Sequence, residues 1–139
     1  MDDVLLNKAA SIERCIARVR EAYAGDPRNL RADLTRQDSI ILNLQRACEA
    51  AIDLAMHLIR RHRLGIPQES REAFDLLASG GMIDESLATE LKRMVGFRNV
   101  AVHEYTRLNL DIVQAIIETR LEELLAFSRR AVRSADGSA

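Results

Sequence analysis

The chain has no tryptophan, and only three phenylalanines and two tyrosines in 139 residues. Its core must therefore be mostly Leu, Ile, Val and Ala, as in helix bundles. Six glycines and two prolines supply too little turn chemistry for a many-stranded sheet. Cys15 and Cys48 sit inside helical patterns and lack CxxC spacing. That speaks for buried, reduced thiols rather than a metal site or a disulfide framework. No apolar run reaches the roughly 18 residues a spanning helix needs, so no membrane association is expected. The start, Met1-Asp2-Asp3-Val4, is acidic and lacks a long apolar run, so no signal peptide is expected and cytoplasm is the default compartment. With a net charge of −1 there is no overall basic field to attract nucleic acid. Any RNA contact has to come from a local patch.

What is present is helical periodicity. An apolar fraction of 47% with 29% charged residues fits a soluble globular protein. One domain over 1–139 is expected, with its core at about 4–132 and a frayed polar tail at 134–139. Val4, Leu5, Ala9, Ile12, Ile16, Val19 and Tyr23 form one stripe, predicting a helix from Asp3 to Tyr23 that Gly25-Asp26-Pro27 ends. A short helical piece is expected over Arg28 to Asp33. Thr35-Arg36-Gln37-Asp38 resembles a capping box and opens a long helix to about His62. Leu42, Leu54 and Met56 lie off that helix's main stripe, so its apolar surface is wide and it is expected to be central.

The long helix finishes in Arg60-Arg61-His62-Arg63. These cations either complement free helix-end carbonyls or attract phosphate. Ser70 is expected to cap a short helix over Arg71 to Ser79, stopped by Gly80-Gly81. A further helix begins near Asp84 or Ser86 and runs to about Tyr105. After a turn, Asn109 caps a last helix reaching about Val132. The sum is an all-α antiparallel four-helix bundle with one or two additional short helices.

The chemically loaded stretch is Arg98-Asn99-Val100-Ala101-Val102-His103-Glu104-Tyr105. Arg offers a planar fork of donors for phosphate oxygens, and His exchanges a proton near neutral pH. Asn99 and His103 are one helical turn apart. Arg98 and His103 lie about 140° apart around an ideal helix. They do not share a face unless the helix bends, the arginine wraps round, or a second copy completes the site. A helix ending in Arg, His and Tyr also occurs without any chemistry, the cation complementing the dipole.

Arg98, His103 and Tyr105 match the RX4HXY pattern of HEPN-domain proteins, and the chain resembles the HepT toxin branch of that family. Gln37-Asp38-Ser39-Ile40-Ile41-Leu42-Asn43-Leu44, Leu64-Gly65-Ile66-Pro67 with Arg71 and Phe74-Asp75-Leu76-Leu77, and Met94-Val95-Gly96-Phe97-Arg98-Asn99 also resemble that branch, so the likeness spans about Val4 to Val132. The resemblance implies a HEPN-like bundle that forms a homodimer. It implies a toxin acting as a metal-independent endoribonuclease without a cofactor. It also implies a partner, an MntA-type minimal nucleotidyltransferase antitoxin that silences the toxin by attaching AMP to Tyr105. In such a nuclease His103 takes the ribose 2′-hydroxyl proton, Arg98 holds the phosphate and Asn99 holds geometry or substrate. The RNA substrate follows from the need for a 2′-hydroxyl. A reading from another class is a non-catalytic nucleotide- or substrate-binding partner of the transferase.

Overall fold

The computed structural model describes residues 2–135, and all regular structure among them is helical. The elements are α1 (Asp3–Tyr23), α2 (Arg28–Arg31), α3 (Leu34–His62), α4 (Ser70–Ser79), α5 (Glu85–His103), a 3₁₀ turn (Tyr105–Arg107), α6 (Leu110–Thr119) and α7 (Leu121–Ala135). As the wide apolar surface predicts, α3 is central: α1, α2, α4, α5 and α7 all pack on it. Ala47, Ala51 and Ala55 are buried along it and keep the helix thin where neighbours approach. Leu54, off the main stripe, is fully buried, whereas Leu42 remains 42% exposed. Cys15 and Cys48 are buried free thiols, and burial pushes Cys48 up to about 12. No helix among the described residues is long and apolar enough to cross a membrane.

Several ends differ from expectation, each for a local reason. α3 starts at Leu34 because Asp33, in extended conformation, accepts from the Arg36 N–H at 3.1 Å. Asp is at least as good an N-cap as Thr, so the Thr35 box is not needed. The short helix ends at Arg31 rather than Asp33 for the same reason. α4 has Glu69 in the cap position without a side-chain bond, and Ser70 is its first helical residue. Asn109 does cap α6, accepting from the Asp111 N–H. The last helix is two: it breaks at Arg120, whose φ/ψ of −118°/−8° leave the helical basin's centre. Just before the break the Thr119 hydroxyl donates to the Ala115 carbonyl at 2.6 Å, a bond that bends helices. Arg120 itself is held by Glu90 of α5 and Glu123. Of the expected frayed tail, Ser134 and Ala135 continue α7, and 136–139 lie outside the described residues.

The N-terminal end of α1 is tied down by charge. Asp2 accepts from the Leu5 N–H at 3.1 Å, from His57 Nε2 at 2.7 Å and from Arg61. These donors, His57 first, hold its carboxyl well below the ordinary carboxylate range. A depressed folded-state pKa stabilises the fold above the unfolded value and is lost as pH falls below about 4. Wild type should therefore melt higher than Asp2→Asn at pH 7. The gap should narrow steadily between about pH 4 and pH 2. A gap that widens on acidification would show that the Asp2 cluster does not stabilise the fold as an ion pair.

Candidate functional site

α5 runs antiparallel to α3 and carries the motif at its C-terminal end. It starts cleanly, Asp84 accepting from the Leu87 N–H at 2.7 Å. Leu91, Met94, Val95, Phe97 and Ala101 are buried, which fixes its rotation and leaves the motif polar groups at the edge of the core. Helical geometry stops at His103: Glu104 has φ −142° and ψ 50°, and its N–H closes the last turn on the Val100 carbonyl. Tyr105 therefore leaves the helix and begins the 3₁₀ turn, so α5 ends two residues before the expected Tyr105.

Arg98 is half-buried between α3 and α4. Its Nη2 donates to Ser70 Oγ at 3.3 Å, while its buried Nε has no partner among the described residues. Its charge is felt by the Cys48 thiol, which places the guanidinium near the middle of α3. A half-buried guanidinium with an unused donor is an incomplete polar site, and an anion that presents two acceptor oxygens, such as a phosphate, would complete it. Ser70, expected as a cap, serves here as the arginine's acceptor.

His103 is exposed as the last residue of α5, open to a substrate and not sealed in apolar packing. Asn99 is half-buried one turn before it. No hydrogen bond joins Arg98 to His103 among the described residues, in keeping with their separation around the helix.

Tyr105 is 45% exposed, and its hydroxyl donates to Asp38 Oδ1 at 2.6 Å. Partial burial first, and then this carboxylate, push the hydroxyl up to about 12. It is a protonated phenol at neutral pH, held by an adjacent proton acceptor. Asp38 is a site residue that pattern reading assigns only to a capping box; the contact spans 67 positions in sequence and leaves no local signal.

A second cation also joins the site. A Cβ on Gly96 would come within 2.9 Å of Arg71 Nη2, so the missing side chain lets this guanidinium lie against α5 beside the motif. The Arg60–Arg63 run is not part of the same place. It lies at the opposite end of α3, roughly 33 Å along the axis from Asp38. Arg61 there is already engaged by Asp2.

Between α5 and α6 lies a groove of about 440 Å³, walled by Met94, Phe97, Val100, Ile112 and Ile116. Ile112 is 55% exposed, and Val102, two residues beyond Val100 on α5, is 43% exposed. Apolar surface of this kind beside polar groups marks association sites. Among the described residues no cluster of three or more His, Cys, Asp or Glu side chains is arranged to hold a metal ion.

Comparison with known proteins agrees with this fold. The family model "Ribonuclease HepT-like" matches residues 12–131. The mRNA nuclease HepT of Shewanella oneidensis is 51% identical over 127 residues, covering 91% of this chain and 95% of that protein. A putative RNase of Archaeoglobus fulgidus is 32% identical over 91 residues, 66% of this chain and 68% of its own length. The solved structure of a tri-AMPylated Shewanella oneidensis HEPN toxin in complex with its MNT antitoxin superposes with a TM-score of 0.89 at 48% identity. It covers 96% of this chain and 99% of that one. With the motif, the bundle and a family match over most of its length in agreement, the chain belongs to the HepT-like ribonuclease family.

Proposed function

We propose that this chain is the toxin of a toxin–antitoxin pair, an endoribonuclease that cuts RNA without a metal and is silenced by nucleotidylation of Tyr105. The observation that carries the cleavage reading is the Arg98 guanidinium, half-buried with an unused donor, on the same short stretch as an open imidazole. His103 removes the proton from a ribose 2′-hydroxyl. The freed oxygen attacks the adjacent phosphorus, and the bond to the 5′-oxygen breaks, leaving a 2′,3′-cyclic phosphate. Arg98 binds the phosphate oxygens and stabilises the charge that grows on them. Asn99 positions the substrate one turn from the base.

The active unit in this reading is a homodimer. One chain holds Arg98 toward Ser70 and His103 at the open helix end, so one copy offers a base but no obvious acid for the departing 5′-oxygen. A second copy seated on the apolar α5–α6 groove brings a second imidazole to the same place. Expression of the toxin alone should arrest growth, and His103→Ala should relieve the arrest. Growth arrest that persists in the alanine variant at equal protein level would reject the nuclease reading in favour of a binding role.

Arg71 acts in this scheme as a further phosphate contact. Gly96→Ala should gain up to about 1 kcal/mol of helix stability, since only the end of a flexible side chain must move. It should nevertheless weaken RNA binding several-fold by displacing the Arg71 guanidinium. A melting temperature that rises with unchanged RNA affinity would remove Arg71 from the site.

A further inference from the structure

On the side of α3 facing α1, well away from the α5 groove, the packing opens into a polar furrow. It consists of two abutting cavities of about 300 and 700 Å³ that share Arg18 and Asn43 in their walls. Together they follow α3 from Thr35 to Asp53, roughly 27 Å along its axis. Arg14 and Arg18, one turn apart on α1, face Arg46 on α3 across the opening. None of the three forms an ion pair among the described residues; Arg14 reaches only Ser11 Oγ, at 3.3 Å.

Three carboxylates also line the walls. Asp53 is held by Lys8 at 3.1 Å, and Glu49 accepts from the Gln45 amide at 3.2 Å. Glu21 lines the far cavity. The walls hold Lys8, Arg14, Arg18, Arg36 and Arg46 against Glu21, Glu49 and Asp53, so a chain with a net charge of −1 carries a locally cationic strip.

The floor of the furrow is Asn43, 5% exposed. Its amide nitrogen donates to the Ser39 carbonyl at 2.8 Å, which leaves Oδ1 buried and without a donor. The furrow therefore asks for two things at once. Guanidinium groups ask for anionic oxygens, and the orphaned carbonyl asks for an O–H or N–H. A phosphodiester group alone supplies only the first, since it carries no O–H or N–H. An RNA strand supplies both, since each phosphate is flanked by a 2′-hydroxyl and by base amino groups. Position supports the same ligand. Asn43 lies between Asp38, which holds Tyr105, and Cys48, which senses Arg98, so the furrow runs level with the motif on another face of α3.

We propose that the α1–α3 furrow is a second RNA-binding site, which holds single-stranded RNA flanking the cut. Arg14, Arg18 and Arg46 contact its phosphates, and Asn43 accepts from a 2′-hydroxyl or a base amine. The choice of ligand rests on the ribonuclease reading.

The test uses the full chain carrying His103→Ala, so that bound RNA stays intact. Fluorescence anisotropy with a 5′-labelled single-stranded RNA of about a dozen nucleotides is followed from low to moderate salt, with AMP as competitor. Combining Arg14→Gln, Arg18→Gln and Arg46→Gln should weaken binding at least about tenfold. It should also flatten the slope of log K against log salt by about 2, the value for three lost contacts to a single strand. The same three positions changed to Lys should restore most of the slope, which separates charge from fold. Asn43→Ala should weaken RNA more than DNA of the same sequence.

Unchanged affinity and slope in the Gln variant would overturn the proposal. So would AMP competing as well as the RNA strand does, which marks a mononucleotide site. Loss of antitoxin binding with RNA affinity intact would also overturn it, by making the furrow a protein-docking surface. Cleavage is scored separately in protein with His103 intact. RNA cutting with an indifferent furrow sinks only this proposal, and furrow-dependent binding without cutting sinks only the nuclease reading.

Discussion

Replacing His103 by alanine should lower the rate of RNA cleavage by about 10²–10⁴-fold, the usual contribution of a positioned general base. The fold should survive the change. His103 is exposed as the last residue of α5, so the change leaves the buried face of that helix untouched. RNA affinity should hardly change, because the imidazole acts on a proton and not on the phosphate charge. Arg98 should behave differently. Arg98→Lys keeps a charge but removes the planar fork, so binding and rate should both fall. Single-turnover kinetics with a short labelled RNA, run beside thermal melting, separate these outcomes. A His103→Ala protein that cuts within a few-fold of wild type would remove the histidine from the mechanism.

The second large effect concerns Tyr105. Tyr105→Phe should abolish transfer of AMP by the partner transferase while leaving RNA cleavage within a few-fold of wild type. The hydroxyl is pushed up to about 12, so at neutral pH it enters the reaction as a phenol and must give up its proton as its oxygen attacks the α-phosphorus of ATP and the bond to the leaving pyrophosphate breaks. Asp38 Oδ1, at 2.6 Å, is placed to orient that hydroxyl and receive the proton. Asp38→Asn should therefore slow AMP transfer by at least about tenfold and leave cleavage intact. The attached AMP adds a bulky anion two residues from His103, where charge and volume both oppose an incoming RNA phosphate. Intact mass after incubation with the transferase and ATP reads the result. Wild type should gain one or more AMP units and Tyr105→Phe none. Equal mass gain by both would place the modification on another residue.

Much of the scaffold was legible from apolar spacing alone. The bounds of α1 and the end of α3 follow from where the stripes begin and stop, and the central place of α3 follows from the width of its apolar surface. The break at Arg120 was not legible. Ile112, Ile116, Leu121 and Leu124 continue a helical pattern across it, and Glu90, which helps hold Arg120, comes from a helix 30 positions earlier. The departure of Tyr105 from α5 was hidden for a similar reason. What draws it out is a carboxylate on α3, and no local propensity encodes that contact.

The site divides the same way. Arg98, Asn99, His103 and Tyr105 were found as residue types at a spacing. Ser70, Asp38 and Arg71 became visible only when α3, α4 and α5 were packed together. Ser70 and Asp38 in particular had been given capping roles. In the fold, Glu69 occupies the α4 cap position and Asp33 caps α3, while Ser70 accepts from Arg98 and Asp38 from Tyr105.

The chemistry of the cut ends tests the role of the Arg98–His103 pair most directly. Purified wild-type protein is incubated with RNA in excess chelator, and the fragments are analysed for their termini. The expected result is undiminished cutting, with 2′,3′-cyclic phosphate on one fragment and a 5′-hydroxyl on the other. Fragments ending in a 3′-hydroxyl, or activity that disappears with the chelator, would contradict attack by the ribose hydroxyl.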